Sequence, residues 1–231
     1  MKAYVRPGIH DSRRLLPEHR EQLEASAIDL ETALFGAVYS IAHQEAYALG
    51  MRGDVLDGLA FPYWVPSEQR FSSRMLRVRL DIEQVDKKYL QPIGERARLY
   101  FIAGTTAAQL ADTSLPVLMT EGEKKSLALH RALNELDIAG LVIGLGGVWG
   151  WRWSPKELQP DGKLGKGRSR PSEELDLIAW KGRIVYVIFD SDVESNPKVT
   201  TAESALAREF HSRGAKVHLV RVPGGEAACL K

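Results

Sequence analysis

The fold is decided by the stretch PVLMTEGEKKSLALHRALNEL, at residues 116–136, together with AGLVIGL at residues 139–145. The apolar run VLM predicts a buried strand, and the regular spacing of leucines in EKKSLALHRALNEL predicts an amphipathic helix. AGLVIGL predicts a second strand. A strand, a helix and a strand in this order predict two parallel strands joined by a right-handed crossover.

The same alternation continues towards the end of the chain. RIVYVIFD at residues 183–190 predicts a strand, PKVTTAESALAREFHSR at residues 197–213 a helix, and AKVHLVRV at residues 215–222 a last strand. The nearly continuous apolar character of these strands is typical of strands that are covered on both faces. The sequence therefore predicts an α/β fold with a mainly parallel sheet.

The first half of the chain has a different pattern. Helical spacing from Leu15 to Ala27, and a cap at Asp29 for a short helix through Ala37, predict that roughly the first 50 residues are helical. From Leu59 onward, the runs LAFPYWV, MLRVRL and RLYFI predict a small sheet.

These patterns divide the chain near residue 112. We expect a smaller α+β region at residues 1–112 and an α/β domain at residues 113–231. Between its strands, the second domain contains a stretch rich in Gly, Lys and Arg at residues 151–176, which we expect to be a mobile functional loop.

Composition excludes several classes of protein. The 231 residues include 31 Lys or Arg and 30 Asp or Glu, so the formal net charge is +1 and histone-like binding by bulk charge is excluded. A single cysteine, Cys229, excludes an intramolecular disulfide and a cysteine-rich zinc site. No signal peptide or long apolar run is present, so we expect a cytoplasmic protein that does not cross a membrane.

Acidic residues follow two of the predicted strands. Glu121 follows the first strand of the second domain, and Asp190 and Asp192 follow the third. Ligands of open α/β sheets bind beyond the carboxyl ends of strands, where three carboxylates would repel each other unless a cation such as Mg²⁺ or Mn²⁺ neutralised them. The alternative is that each acid is a solvated turn residue.

The order of these motifs resembles the TOPRIM domain, which bacterial primases, type IA and type II topoisomerases and some nucleases share. The resemblance covers about residues 113–223 and implies a Rossmann-like sheet. It implies that Glu121 supports acid–base chemistry, and that Asp190 and Asp192 hold Mg²⁺ near the reacting phosphate.

The first half of the chain is similar to the N-terminal part of the primase catalytic core, in which a basic strand precedes a Lys-Tyr-Leu segment. That similarity implies contacts to nucleic acid or nucleotide from a basic ridge, Arg74, Arg77 and Arg79, and from Lys88 of the Lys-Tyr-Leu segment. We expect the neighbouring Lys87 to contact phosphate as well.

The motifs TEGEKKSLAL and FDSDVESNPKV resemble, most closely, primase-like modules of plasmids, phages and other mobile elements, which are often fused to a helicase. The resemblance implies Mg²⁺-dependent primer synthesis on single-stranded DNA, with nucleotides as substrates and a replicative helicase as a partner. A non-catalytic or truncated nucleic-acid-binding protein remains an alternative, because Glu226 is the one acid after the last strand. A TOPRIM-type nuclease remains another, because the same acids could serve strand cleavage.

Two further groups of residues have open interpretations. Lys124 and Lys125 begin the predicted helix after Glu121, where the helix dipole disfavours cations, so they are either phosphate ligands or solvated lysines. The alternating tryptophans 149, 151 and 153 lie beside basic residues. They either stack on nucleic-acid bases or form a hydrophobic lid on the sheet.

Overall fold

The computed structural model of the protein describes residues 15–84, 87–159, 162–189 and 196–221. The chain divides into two compact units. The first contains the chain up to Glu95 together with Phe101–Thr105, and the second contains Arg96–Tyr100 and the chain from Thr106 onward. A four-stranded sheet is central to the first unit and a five-stranded sheet to the second.

Three short helices begin the described part of the first unit: α1 (Pro17–Glu24), α2 (Leu30–Phe35) and α3 (His43–Ala48). Proline at the first position of α1 has no N–H to leave unpaired, which suits a helix start. The carboxylate of Asp29 accepts a hydrogen bond from the Thr32 N–H at 2.8 Å. The two helices predicted for this region, with Asp29 as the cap of the second, are therefore confirmed.

The sheet of the first unit is antiparallel, with the order β1-β2-β3-β4. Its strands are β1 (Tyr39–Ile41), β2 (Gly58–Val65), β3 (Arg70–Gln84) and β4 (Lys87–Leu90). The prediction that roughly the first 50 residues are helical was wrong for β1. This segment has only three residues, and pairing with β2, a contact distant in sequence, decides its conformation.

One buried histidine links α1 to this sheet. His19 is 3% exposed. Its Nδ1 lies 2.7 Å from Ser40 Oγ in β1, and its Nε2 lies 2.7 Å from Asp81 Oδ1 in β3. Both ring nitrogens thus have partners, as a buried imidazole requires, and the two contacts anchor α1 on the sheet.

The second unit is built on an α/β sheet with the strand order β13-β12-β6-β7-β5. Strands β13, β12, β6 and β7 are paired in parallel, so the prediction of an α/β fold with a mainly parallel sheet is confirmed. The elements after β4 are β5 (Tyr100–Phe101), α4 (Ala107–Ala111), β6 (Val117–Thr120), α5 (Glu123–Glu135), β7 (Leu141–Gly144), β8 (Arg152–Trp153), β9 (Lys156–Leu158), β10 (Leu164–Lys166), β11 (Arg170–Pro171), β12 (Ile184–Ile188), α6 (Pro197–Ser212) and β13 (Lys216–Val220).

Strand β5 differs from the sequence-based expectation. The run RLYFI was expected to join the small sheet of the first half, whereas β5 lies beside β7 at the edge of the parallel sheet. A two-residue strand has too little pattern to specify its partner, so the choice depends on tertiary packing. Among the described residues, no helix has the length and apolar character needed to cross a bilayer.

The stretch at residues 151–176, expected to be a loop, contains regular structure. Strand β8 pairs with β11, and β9 pairs with β10, both antiparallel. The N–H of Gly167 donates to Pro155 O at 2.7 Å between the two pairs, so residues 152–159 and 162–171 form one interrupted hairpin. A 3₁₀ helix, Glu173–Leu177, follows it, and its Leu175 is fully buried.

Candidate functional site

The turn between β6 and α5 positions Glu121, which directly follows β6. Two buried hydroxyl groups hold this turn. Ser126 Oγ donates to Gly122 O at 2.9 Å and lies 2.7 Å from Thr120 Oγ1. Because Thr120 and Ser126 are 2% and 0% exposed, the turn is fixed from inside the unit. The Glu121 side chain keeps 21% of its surface exposed.

Lys125 is the ion-pair partner of Glu121. Its Nζ donates to Glu121 Oε1 across one turn at the start of α5. The sequence left Lys124 and Lys125 open as phosphate ligands or solvated lysines, and the structure places both near the beginning of α5, half-buried, with Lys125 directed at Glu121. The contact places a positive charge beside the carboxylate of Glu121.

The register of the parallel strands brings three strand ends to one edge of the sheet. Thr120 of β6 pairs with Ile188 of β12 on one side and with Gly144 of β7 on the other. Beyond β7, the N–H of Leu145 donates to Thr120 O, and the N–H of Gly147 donates to Glu121 O, each at 2.8 Å. The backbone after β7 thus lies along the backbone at Glu121.

The other two predicted acids, Asp190 and Asp192, lie outside the described residues. In the described ranges, no group of three or more His, Cys, Asp or Glu side chains is arranged to hold a metal ion. Glu121 is the one member of the predicted acidic set that these ranges include. The metal site therefore stays a prediction.

The predicted basic ridge belongs to the first unit. Arg74 is 78% exposed in its side chain, and its Nε lies 3.3 Å from Glu95 Oε1. Arg77 has its guanidinium carbon 4.9 Å from the centre of the Tyr89 ring, a cation–π contact. Arg79 is directly opposite Tyr89 in the sheet register, so both arginines share a face with that tyrosine.

Lys88 lies on the opposite face of β4 from Tyr89, because side chains alternate along a strand. Its Nζ is 3.3 Å from Glu83 Oε1. The backbone of Lys87 pairs with Gln84 in the register of β3 and β4. The structure therefore divides the predicted basic residues between two faces of the sheet, with Arg77 and Arg79 on one face and Lys88 on the other.

Comparison with known protein families identifies the second unit. Residues 107–228 match the family model described as a domain of unknown function, DUF3854. The chain belongs to the DUF3854 family. No curated protein matches it.

One solved structure is similar to this DUF3854 protein over most of its length. It is the crystal structure of the Aquifex aeolicus primase, described as its zinc-binding and RNA polymerase domains, with a TM-score of 0.56 and 16% sequence identity. The match covers 91% of this chain and 51% of the primase chain, so the DUF3854 protein spans about half the length of that primase. At this identity the likeness shows the fold, which is primase-like.

A buried acid at the start of α5 was missed by sequence reasoning. Glu123 is 1% exposed, and it lies in the first turn of α5, where a negative charge is favourable to the helix dipole. Burial, and to a smaller extent the charge of Glu123, raises the pKa of Tyr100 far above its usual range. Tyr100 is therefore a neutral hydroxyl at physiological pH.

The tryptophans of the DUF3854 protein differ in burial. Trp151 is 3% exposed and Trp149 is 39% exposed. Their rings are stacked with centroids 6.3 Å apart and planes inclined by 25°. Trp151 thus packs inside the unit, as the lid interpretation predicts, while Trp149 presents part of its ring to solvent.

Of the two glycines in this site, Gly144 has no room for a side chain, whereas Gly122 does. Gly122 has extended backbone angles that any residue adopts, and no atom lies within 4 Å of the position of an added Cβ. An added Cβ at Gly144 would lie 2.4 Å from Ser126 Oγ and 3.2 Å from Tyr100 Cβ. Gly144 therefore permits the close approach of α5 to β7.

We expect Gly144→Ala to lower the free energy of unfolding by about 1–3 kcal/mol, because the added methyl group must displace the buried Ser126 hydroxyl. Gly122→Ala is the matched control, and its effect should be within about 0.5 kcal/mol. Urea denaturation followed by circular dichroism measures both. Equal midpoints for the two variants would contradict the packing assigned to Gly144.

Proposed function

We propose that this chain is a TOPRIM-type, primase-like protein that performs Mg²⁺-dependent nucleotidyl transfer, making primers on single-stranded DNA. The observation that supports it is the parallel register of Thr120 with Ile188. Glu121 follows Thr120 directly, and Asp190 comes two residues after Ile188 in the sequence. The register thus supports an acidic site at this edge of the sheet, built from Glu121, Asp190 and Asp192.

The residues proposed for the metal fit its chemistry. Mg²⁺ and Mn²⁺ prefer carboxylate oxygens, and the Glu121 carboxylate is partly exposed at the sheet edge. When bound, the ion would supply positive charge that stabilises the reacting phosphates. Glu121, Asp190 and Asp192 are the proposed ligands.

The chain's own groups have complementary roles in this proposal. Lys125 stabilises the Glu121 carboxylate as an anion, and an ionised carboxylate is able to accept the proton of an attacking hydroxyl group. Lys124 and Lys125 lie in the first turn of α5, where the N–H groups of the helix also favour a phosphate. We assign them to the phosphates of the incoming nucleotide.

The biological setting forms part of the same proposal. The motifs TEGEKKSLAL and FDSDVESNPKV resemble primase-like modules of plasmids and phages, which supports a role in the replication of a mobile element. Single-stranded DNA and nucleotides are the proposed ligands. A replicative helicase is the proposed protein partner, and the basic side chains of the first unit are proposed to contact the template.

The test incubates the purified chain with labelled single-stranded DNA, ribonucleotides or deoxynucleotides, and Mg²⁺ or Mn²⁺. Products separated on a denaturing gel should include newly made or extended strands that disappear when EDTA removes the metal. Shortened strands would replace this proposal with a TOPRIM-type nuclease. Strands that are bound but unchanged with either metal would contradict catalysis and favour a non-catalytic binding protein.

A further inference from the structure

The hairpin arm, residues 152–159 and 162–171, combines features that the proposed acidic site does not use. The amino-acid sequence from residue 152 to residue 171 contains six Lys or Arg residues and two Asp or Glu residues, although the whole chain has a net charge of only +1. The excess of positive charge is therefore local. Local basic patches, more than total charge, attract polyanions.

The outer part of the arm places like charges side by side. In the register of β9 and β10, Lys156 is directly opposite Lys166, and Leu158 is directly opposite Leu164. Like charges in such a pair destabilise a sheet. No carboxylate of the described residues forms an ion pair with either lysine, and Glu157, one position along, lies on the other face of the ribbon.

The same face is also apolar and exposed. Leu158 and Leu164 are 72% and 71% exposed, so this cross-strand pair contributes little to the core of the unit. A two-stranded ribbon is marginally stable in water. A face with two lysines and two exposed leucines thus suits a ligand that has both negative charge and apolar surfaces.

The inner part of the arm has an arginine–tryptophan cluster. The guanidinium carbons of Arg170 and Arg96 lie 4.5 Å and 5.1 Å from the centre of the Trp153 ring. Arg152 lies 5.1 Å from the Trp151 ring and 5.7 Å from the partly exposed Trp149 ring. Cationic and aromatic groups alternate here at distances typical of cation–π contacts.

Several buried hydrogen-bond donors of this cluster have no acceptor in the described part of the chain. Four buried nitrogen atoms have no acceptor among the described residues: Arg96 Nη1, Arg152 Nε, Trp151 Nε1 and Trp153 Nε1. All four atoms are hydrogen-bond donors, and Trp151 is only 3% exposed. Buried donors normally have partners, so an excess of donors indicates a site that an acceptor-rich ligand completes.

We infer that the hairpin arm binds single-stranded nucleic acid without sequence preference. Phosphates lie between Lys156 and Lys166 and against the arginines, while unpaired bases stack on Trp149 and contact the two leucines. Proteins that bind single strands combine a basic track with aromatic side chains in this way. The inference deepens the proposed function, since it assumes that the chain acts on nucleic acid and assigns a surface of the second unit that binds the strand, in addition to the basic side chains of the first unit.

The test measures binding of the full chain to a fluorescent dT oligonucleotide of about 20 nucleotides, with EDTA present so that the acidic site plays no part. We expect Lys156→Glu with Lys166→Glu to weaken binding at least about tenfold at low salt and to lower the log–log salt slope by about 1.4. The control, Lys181→Glu with Lys198→Glu, makes the same charge change at exposed positions outside the arm.

The stacking of bases on Trp149 is tested by separate measurements. Binding should quench the tryptophan fluorescence, Trp149→Ala should weaken binding about tenfold, and Trp149→Phe should retain most of it. Circular dichroism compares the fold of each variant with wild type. If an alanine variant were misfolded, the phenylalanine variant and the lysine pair would still decide the question.

Three results would overturn the inference: no binding of the oligonucleotide by wild type, equal binding by the arm and control variants, or a preference of the arm for anionic lipid vesicles over the oligonucleotide. These outcomes are separable from failure of the proposed function. Binding is measured without metal, whereas nucleotidyl transfer is measured with it. A chain that binds strands through the arm but makes no primers keeps this inference and loses the proposed reaction.

Discussion

Replacing Glu121 with glutamine is expected to lower nucleotidyl transfer by about 10²–10⁴-fold, the range typical of losing a general acid or base. Glutamine has nearly the same shape and keeps an oxygen that can accept a hydrogen bond from Lys125, so the turn held by Thr120 and Ser126 should persist. What disappears is the negative charge. The measurement is the rate of strand extension under single-turnover conditions with Mg²⁺ or Mn²⁺.

The matched control for this variant is Glu135→Gln at the other end of α5. Glu135 is 57% exposed in its side chain and is paired with Arg131 one turn away, so its loss should change the rate less than about twofold. Calorimetry with Mn²⁺ gives a second readout, in which Asp190→Asn with Asp192→Asn should abolish binding. A Glu121→Gln enzyme as fast as wild type, or unaltered Mn²⁺ affinity in the aspartate variant, would refute the proposed acidic site.

The sequence predicted those parts of the fold that depend on local pattern. The buried strand β6, the helix α5 and the strand β7 follow from apolar runs and helical spacing, and the cap at Asp29 follows from side-chain chemistry within four residues. Such signals are short in range. They need no knowledge of which distant segment is the partner.

Features that depend on distant partners were not predictable. The three residues of β1 are a strand because β2 pairs with them, and β5 joins the parallel sheet because β7 lies beside it. The hairpin arm was expected to be a loop since its polar, Gly-rich sequence has no clear period. Its pairing becomes evident only from the register of its strands.

The candidate site also has features that the sequence predicted and features that depend on distant partners. The apolar run before Glu121 predicts a strand that this acid follows directly, and β6 does end at Thr120; a functional role for Glu121 stays a prediction. The glycine that the packing requires is Gly144, because the distance to Ser126 depends on how α5 packs against β7. One available signal was overlooked: Thr120 and Ser126 are hydroxyl residues at positions where the periodicity predicts apolar ones, which indicates a buried hydrogen bond.

Replacing Arg183 with methionine is expected to lower the free energy of unfolding by about 3–5 kcal/mol. Arg183 is fully buried, directly before β12. Burial lowers the pKa of its guanidinium, and the nearby Asp112 carboxylate partly opposes that shift. The guanidinium is held by backbone carbonyls, with hydrogen bonds to Leu115 O (2.7 Å), Leu110 O (2.8 Å), Gln109 O (2.9 Å) and Ala179 O (3.3 Å).

The reason for so large a loss is that methionine fills similar space but donates no hydrogen bond. Each carbonyl that stays buried without a donor lowers the free energy of unfolding by about 1–3 kcal/mol. Two of these carbonyls, those of Gln109 and Leu110, belong to the last turn of α4, where the helix itself supplies no N–H partner. Leu110 O also accepts from the N–H of Ala179 at 3.0 Å, so it keeps one donor when Arg183 is lost, whereas Gln109 O loses the donor that Arg183 supplies. The side chain of Arg183 thus acts as the C-terminal cap of that helix from a distant part of the chain.

The measurement is the urea midpoint and slope of the full chain, followed by circular dichroism and by the fluorescence of its five tryptophans. One of them is Trp180, whose Nε1 donates to the nearby Leu175 O at 2.6 Å. Arg131→Met is the matched control. Arg131 forms an ion pair within α5, and its loss should cost less than about 0.5 kcal/mol. Arg183→Lys should lie between the two, since lysine keeps the charge but lacks the planar set of donors.

Arg183 also holds together the two strands that lead to the candidate site. Leu115 O, one of its acceptors, lies two residues before β6, and Arg183 itself immediately precedes β12, so one guanidinium joins the starts of the two strands that Glu121 and Asp190 follow. Arg183→Met should therefore reduce the amount of folded protein without altering the rate of nucleotidyl transfer per folded molecule. An unchanged urea midpoint would show that the four carbonyls find other donors, and that the capping role assigned to Arg183 is wrong.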